Sequence, residues 1–349
     1  MTSSNLRLSV LDLIPVRSNQ TSGDAIAASV SLAKRADELG FERYWVAEHH
    51  NMPAVAATNP PVLIGILAAN TSQIRVGSGG VMLPNHSPLV IAEQFAALEA
   101  AFPGRIDLGI GRAPGSDPVI TALLRSSGAT SDVDQFERNV RDIGVLLDRD
   151  GAILRLGEDR DYQVKATPKA ESRTPVWLLG SSDFSAGVAA KLGLPYVFAH
   201  HFSGEGTAQA LDLYRRSFTA SENLAAPSTF LTVNAVVADT REEASALAMP
   251  QLQQMARLRS GLSLGPQLTV EEAEIADVTP LMQELMDRMT ERWIIDTPVK
   301  AASRIHALAT RFGVDEVMVS PGASAHASAD PRSAPGRVRT LELLAAELA

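Results

Sequence analysis

The sequence predicts an α/β fold in which eight parallel strands close into a (β/α)8 barrel, with an insertion after the seventh strand. Eight short apolar segments alternate with helical segments along the chain. Parallel strands need long crossover connections, and the intervening helices supply them. An open doubly wound sheet is the alternative, but the count of eight and the lack of a GxGxxG motif after the first strand favour the closed barrel.

The predicted strands cover residues 6–13, 44–47, 74–83, 105–110, 176–179, 196–199, 229–237 and 316–319. Several of the helices between them carry capping residues or an N-terminal proline. These signals are Ser22 and Gly40 for the first helix, Asn59-Pro60 for the second and Ser87-Pro88 for the third. Later helices are expected at 134–147, 184–192, 207–218, from 241 onward, at 298–312 and at 338–348.

Two segments interrupt this alternation. Residues 151–173 are polar and are expected to form a small hairpin, and residues 255–291 form a long, Met-rich insertion. Long insertions after barrel strands usually form lids or binding loops, although methionines at helical spacing are more often ordinary core. We therefore expect one domain over residues 1–349, with a lid at about 255–291.

Composition excludes several classes of function. The net charge of −9 disfavours nucleic acid as a partner, although it leaves room for a local pocket that binds one anion. The absence of cysteine removes disulfides, thiolate catalysis and cysteine-based metal sites. The sequence shows neither a basic-then-apolar leader nor a membrane-length apolar run, so we expect a soluble cytoplasmic protein.

Polar and glycine residues gather where the predicted strands end, which is where barrel enzymes place their active sites. Four strands, from the second to the fifth, end in Glu48-His49-His50-Asn51, Gly77-Ser78-Gly79-Gly80, Gly109-Ile110-Gly111-Arg112 and Gly180-Ser181-Ser182. This coincidence carries more weight than any one of the motifs.

His49 and His50 could serve as general acid or base near neutral pH, or could simply fix a loop. Adjacent side chains on an extended chain point to opposite faces, so the pair is a poor metal site. The run of small residues at 77–80 either lets a flat ligand approach the backbone, with unusual torsions such as a cis bond, or makes a tight turn.

Arg112 and the loop at 180–182 have the chemistry of a phosphomonoester site, because a guanidinium, hydroxyls and helix N-terminal amides all bind phosphate. Plain N-capping by Ser182 is the alternative. His86, His200 and His201 are weaker candidates, and Asp12 could lie under a cofactor.

The chain resembles the luciferase-like flavin monooxygenases, specifically the non-luminescent bacterial group near the alkanal monooxygenases. The segments that carry the resemblance are GFERYWVAEHHN, NPPVLIGILAANTSQIRVGSGGVMLPNHSPLVIAEQFAALEAAFPGRIDLGIGR, PVWLLGSSDFSAGVAAKLGLPYVFA and TPVKAASRIHALATRFGVDEVMV. The first three span most of residues 6–199 in family order, and four separate strand ends agree.

The resemblance implies roles for individual residues. His49 matches the catalytic histidine, Glu48 the acidic residue beside it at the flavin, and Gly79-Gly80 the cis peptide against the isoalloxazine ring. Arg112 matches the phosphate-binding arginine. The residues that match the strand end and phosphate loop are Leu179, Gly180, Ser181, Ser182 and Ser185.

The resemblance also implies a two-component monooxygenase, which takes reduced FMN from a separate flavin reductase and uses O2 on a small organic substrate. The alternatives are an F420-dependent oxidoreductase of the same fold and a non-catalytic flavin-binding barrel. Gly111 and Ser181 stand where the luciferase α chains carry Cys and Glu, so luminescence is not expected. A homodimer is a further expectation.

Overall fold

The computed structural model describes residues 6–126, 133–156, 160–202 and 204–348. Its strands are β1 (Arg7–Asp12), β2 (Arg43–Val46), β3 (Arg75–Ser78), β4 (Val81–Met82), β5 (Ile106–Gly111), β6 (Ala152–Arg155), β7 (Asp161–Val164), β8 (Val176–Gly180), β9 (Tyr196–Phe198), β10 (Thr229–Val237), β11 (Ile294–Asp296) and β12 (Glu316–Pro321). Its helices are α1 (Ser22–Glu38), α2 (Pro60–Ala69), α3 (Pro88–Ala101), α4 (Pro118–Arg125), α5 (Phe136–Leu146), α6 (Asp183–Leu192), α7 (Thr207–Ser217), α8 (Arg241–Arg259), α9 (Val270–Glu274), α10 (Pro280–Arg292), α11 (Pro298–Phe312) and α12 (Pro335–Leu348).

Eight parallel strands close the barrel in the order β1, β2, β3, β5, β8, β9, β10 and β12, and β12 pairs again with β1. The closed (β/α)8 barrel is therefore confirmed, and each predicted strand is present. The third one is broken, because β3 ends at Ser78 and β4 resumes at Val81 against β5. The small strand β11 extends the sheet beyond β10.

Large side chains fill the barrel interior. The rings of Trp45, Trp177 and Phe230 pack together with centroid separations of 5.1 to 5.7 Å. Leu11 and Met318 belong to the same buried cluster. Because these side chains fill the interior of the barrel, we expect a ligand to bind at the mouth, where the carboxyl ends of the strands lie.

A buried ionic network lies beneath the aromatic core. The Arg43 guanidinium donates to Asp107 at 3.0 Å and to Glu316 at 2.7 Å, and it stacks on Trp177 at 4.9 Å. Arg75 donates to the other Asp107 oxygen at 2.6 Å. These contacts tie β2, β3, β5 and β12 together and satisfy the buried charges.

The local predictions hold with a few corrections. The polar segment forms the predicted hairpin, since β6 pairs antiparallel with β7. Ser22 was the wrong N-cap, because Thr21 caps α1 through a capping box with Asp24. Gly40 has the expected left-handed φ of 77°, and α4 is a helix that the sequence patterns did not predict.

The insertion after β10 is helical. Met282, Met286 and Met289 of α10 are buried in a core formed with α8, so the assignment of the methionines to ordinary core is correct. In the loop of the insertion, the backbone amide of Gln267 donates to the Val16 carbonyl at 2.8 Å. The backbone carbonyl of Gln267 accepts from the Ser18 amide at 2.8 Å. The insertion thus crosses to the loop that follows β1, and its role as a lid stays a prediction. Within the described residues, no helix is both long and apolar enough to cross a membrane.

Candidate active site

The second strand ends in a buried carboxylate that organises the mouth of the barrel. Glu48 accepts hydrogen bonds from His50 at 2.9 Å, from His86 at 2.8 Å and from the Met82 amide at 3.0 Å. Burial alone would raise the pKa of Glu48, but these donors outweigh it and hold the pKa at about 2. Glu48 is therefore an anion that fixes two imidazoles and the end of β4.

His86, which is only a weak candidate from its place in the sequence, is a member of this cluster. It lies 38 positions from Glu48 and follows a 3₁₀ turn, Leu83–Asn85, so only the folded chain brings the two together.

His49 lies between Glu48 and His50 in sequence but has a different environment. Its Nδ1 atom is buried and has no hydrogen-bond partner among the described residues. Burial lowers the pKa of His49, although the backbone of Gly115 and the charge of Glu48 act in the opposite direction. A neutral imidazole with one open ring nitrogen follows from this arrangement.

The Gly79–Gly80 peptide is cis, as the resemblance implied and as one of the two interpretations of the run of small residues allowed. A Cβ atom on Gly79 would lie 2.7 Å from Leu11, and one on Gly80 would lie 2.6 Å from Leu179 and 2.8 Å from the Gly109 carbonyl. Side chains are thus excluded by packing from below, and Leu179 is placed directly beside this peptide.

Arg112 and the start of α6 come together as the sequence predicts. The Arg112 guanidinium lies 4.0 Å from the centre of the Phe184 ring, which belongs to the first turn of α6. No carboxylate pairs with Arg112 among the described residues. Ser182 is the N-cap, yet its hydroxyl makes no capping hydrogen bond. A guanidinium and a hydroxyl are therefore available beside the positive end of a helix.

The other residues of this loop fall into two groups. Ser181 is exposed beside Ser182, whereas Ser185 is buried. A Cβ atom on Gly180 would lie 2.6 Å from that of Ser185, so the glycine allows the loop to pack on α6. Ser185 supports the loop from beneath, and Ser181 and Ser182 face solvent.

A polar group that the sequence did not predict lies near the mouth. It consists of His201, Thr232 and Asn234. His201 Nδ1 lies 2.8 Å from the Thr232 hydroxyl, and the Asn234 amide donates to the His201 carbonyl at 2.6 Å. Alternation along β10 places Thr232 and Asn234 on the same face as Phe230, inside the barrel. The sequence signal for this group was the pair of polar residues, Thr232 and Asn234, in the largely apolar strand β10.

Asp12 does not lie under a cofactor, which corrects the earlier expectation. Its carboxylate accepts from Arg337 at 2.6 Å, from Ser29 at 2.7 Å and from the Ile14 amide at 2.7 Å. It points outward and joins β1 to α1 and α12. No cluster of three or more His, Cys, Asp or Glu side chains that could hold a metal ion is present among the described residues.

Comparison with known proteins decides the family. The family described as luciferase-like monooxygenase matches residues 6–316 of the chain. The chain belongs to the luciferase-like monooxygenase family. It is 44% identical to a protein of that name from Escherichia coli (strain K12), over 75% of each chain.

Two proteins of Bacillus subtilis (strain 168) are also similar. The uncharacterized protein YvbT is 39% identical over 97% of this chain and 95% of its own. An N-acetyl-S-alkylcysteine monooxygenase is 39% identical over 68% of this chain and 70% of its own.

Solved structures agree with the fold of this luciferase-like monooxygenase. The crystal structure of apo-MsnO8 is 33% identical, with a TM-score of 0.84 and 98% of each chain covered. The oxygenating component of a 3,6-diketocamphane monooxygenase from Pseudomonas putida, in complex with FMN, has a TM-score of 0.67 at 17% identity over 99% and 98% of the chains. An F420-dependent secondary alcohol dehydrogenase has a TM-score of 0.66 at 13% identity over 99% of each chain. These last two show the shared fold alone.

Proposed function

We propose that this chain is the oxygenating component of a two-component FMN-dependent monooxygenase, which acts on a small organic substrate with O2. One observation carries the proposal: a donor set for a phosphomonoester lies at the ends of β5 and β8, next to a cis peptide and a buried histidine. The pattern matches an anionic flavin tail at one side of the mouth and its ring at the other.

The described residues fit FMN. Arg112, the hydroxyls of Ser181 and Ser182 and the first amides of α6 would bind the phosphate. Among the described residues, Arg112 pairs with no carboxylate and the Ser182 hydroxyl makes no capping hydrogen bond. The Gly79–Gly80 peptide would support the ring, with Leu179 alongside. When bound in its reduced form, the flavin supplies the two electrons and the site of O2 activation.

His49 is the proposed catalytic residue. Its imidazole is neutral at physiological pH because burial lowers its pKa, and its Nδ1 has no partner among the described residues. It can therefore hold or release a proton beside the reacting centre. Glu48 acts through its neighbours, because its oxygens are engaged by His50, His86 and the β4 amide.

A separate flavin reductase is the proposed source of reduced FMN. The sequence has no GxGxxG after its first strand, so it lacks the usual nicotinamide fingerprint. The small molecules to be tried as substrates include N-acetyl-S-alkylcysteines, because a 39%-identical relative is named for them.

F420-dependent hydride transfer is the second candidate, since an F420-dependent enzyme matches the fold about as well as an FMN complex does. Titration of the chain with reduced FMN and with reduced F420 separates the two. We expect FMN to bind at least tenfold more tightly, and O2 to be consumed with formation of an oxygenated product. Tighter binding of F420 would favour the hydride-transfer enzyme. Tight FMN binding with release of H2O2 alone, for every substrate tried, would favour a flavin-binding barrel.

A further inference from the structure

A cavity of about 350 Å³ opens between the loop that follows β9, the end of α10 and one face of α11. Its lining includes His201, Asn234, Trp293, Arg304 and Arg311. The residues proposed to hold the flavin, namely those of the Gly79–Gly80 peptide and of the α6 loop, do not line it. A volume of this size suits a small organic ligand.

The cavity is locally basic in a chain whose net charge is −9. Three guanidinium groups line it, those of Arg292, Arg304 and Arg311, against the carboxylates of Glu205 and Glu291. Two of these positive charges also act on a neighbouring imidazole. The pKa of His200 is lowered by burial and then by Arg311 and Arg292. An anion in the cavity would relieve this crowding.

Two of the arginines are held differently. Arg304 donates to the carbonyls of Trp293 at 2.6 Å and of Arg292 at 3.0 Å, so it fixes the end of α10 against α11. Arg311 lies 5.1 Å over the Phe312 ring and pairs with no carboxylate among the described residues. Arg311 is thus the guanidinium that a ligand can engage at little structural cost.

His201 connects the lining of the cavity to the environment of His49. The Thr232 hydroxyl donates to the Phe198 carbonyl at 3.1 Å, so it must accept from His201 Nδ1, which leaves Nε2 as an acceptor. The pKa of His201 is about 4, lowered by burial, by His200 and by His49. Because the charge of His49 affects the pKa of His201, the two imidazoles lie within electrostatic range of each other.

We propose that this cavity is the substrate pocket and that the substrate is a small carboxylate, whose acid group pairs with Arg311. The neutral His201 accepts a hydrogen bond from the substrate through Nε2, and the reacting end of the substrate extends past His201 toward His49. This inference rests on the proposed function and specifies its substrate class.

Isothermal titration calorimetry of the full chain, with and without FMN, tests the proposal. The probes are benzoate, octanoate and N-acetyl-S-methylcysteine, each paired with its methyl ester. We expect at least one acid to bind about tenfold or more tightly than its ester, because a hydrogen bond to a charged group is lost in the ester. The preference should shrink at high salt.

Variants locate the interaction. Arg311→Gln should remove the acid preference, whereas Lys300→Gln, which deletes the same charge from the same helix, should leave it intact. Trp293→Phe should abolish any ligand-induced change in tryptophan fluorescence, since Trp293 lines the cavity and Trp45 and Trp177 lie in the barrel core. Arg304→Lys, which conserves the positive charge, should weaken acid binding only modestly.

Equal binding of acids and esters across the panel, or equal effects of Arg311→Gln and Lys300→Gln, would overturn the proposal. Titration of the same samples with FMN separates it from the proposed function. Acid-selective binding without FMN binding would refute the flavin assignment alone, and FMN binding without acid selectivity would refute the substrate class alone.

Discussion

Replacing Glu48 with glutamine should change how the stability of the protein depends on pH. The wild-type carboxylate is fully buried and is stabilised as an anion by His50, His86 and the Met82 amide. Its pKa is about 2 in the folded protein, against an ordinary value of 4.5. A depressed pKa contributes stability above pH 4.5, and this contribution is lost as the pH falls toward 2.

The size of the effect follows from the difference between the two pKa values, 4.5 and about 2. At 1.36 kcal/mol per unit, the 2.5-unit difference corresponds to about 3 kcal/mol of stability at neutral pH. Between pH 5 and pH 3.5 the wild type should lose about 1.2 kcal/mol of it, because the unfolded carboxylate takes up its proton in that window. The Glu48→Gln variant has no such proton to take up.

Urea unfolding of the wild type and of Glu48→Gln at pH 5, 4.25 and 3.5 measures this loss of stability. The difference between the unfolding free energies of wild type and variant should fall by about 1.2 kcal/mol across the series. Glu347→Gln, which removes an exposed carboxylate from α12, is the matched control and should show a much smaller slope. A Glu48→Gln difference that stays constant from pH 5 to pH 3.5 would refute the assigned role of the three donors.

Three further predictions concern the mouth of the barrel. Arg112→Ala should weaken FMN binding by about 1.5–3 kcal/mol, because a charged hydrogen bond to the phosphate is lost, and should leave riboflavin binding nearly unchanged. Fluorescence titration measures both affinities. Equal losses for the two flavins would show that Arg112 does not bind the phosphate. His49→Ala should keep FMN affinity but lower the ratio of product formed to O2 consumed, and unchanged coupling would remove His49 from the chemistry. Gly109→Ala should cost roughly 1–3 kcal/mol in urea unfolding, because the added methyl group would collide with the Ser78 carbonyl. Gly187→Ala in α6, where the space is open, should instead stabilise by about 0.4–1 kcal/mol. A similar result for both glycines would contradict the close approach of Gly109 to the Ser78 carbonyl.

The barrel could be predicted from the sequence because its signals are local. Each strand is a short apolar run, and helix starts such as Asn59-Pro60 carry their own caps. The cis bond at Gly79–Gly80 was implied by the resemblance, whereas the run of small residues alone also allowed a tight turn. The packing of Leu11 and Leu179 against these glycines became visible only in the structure.

Contacts between distant residues could not be predicted in this way. Glu48 meets His86 only because β4 resumes beside it, and the outward direction of Asp12 depends on Arg337, 325 positions away. The protonated nitrogen of His201 is fixed by Thr232 on another strand. Pairings of this kind carry no periodicity or spacing that a single sequence reveals.

The most direct test of the account is a crystal structure of the chain with FMN. We expect the phosphate within hydrogen-bond distance of Arg112 and Ser182 at the N-terminus of α6, and the ring over the Gly79–Gly80 peptide beside His49. A phosphate bound elsewhere, or a ring outside the mouth of the barrel, would contradict the central claim.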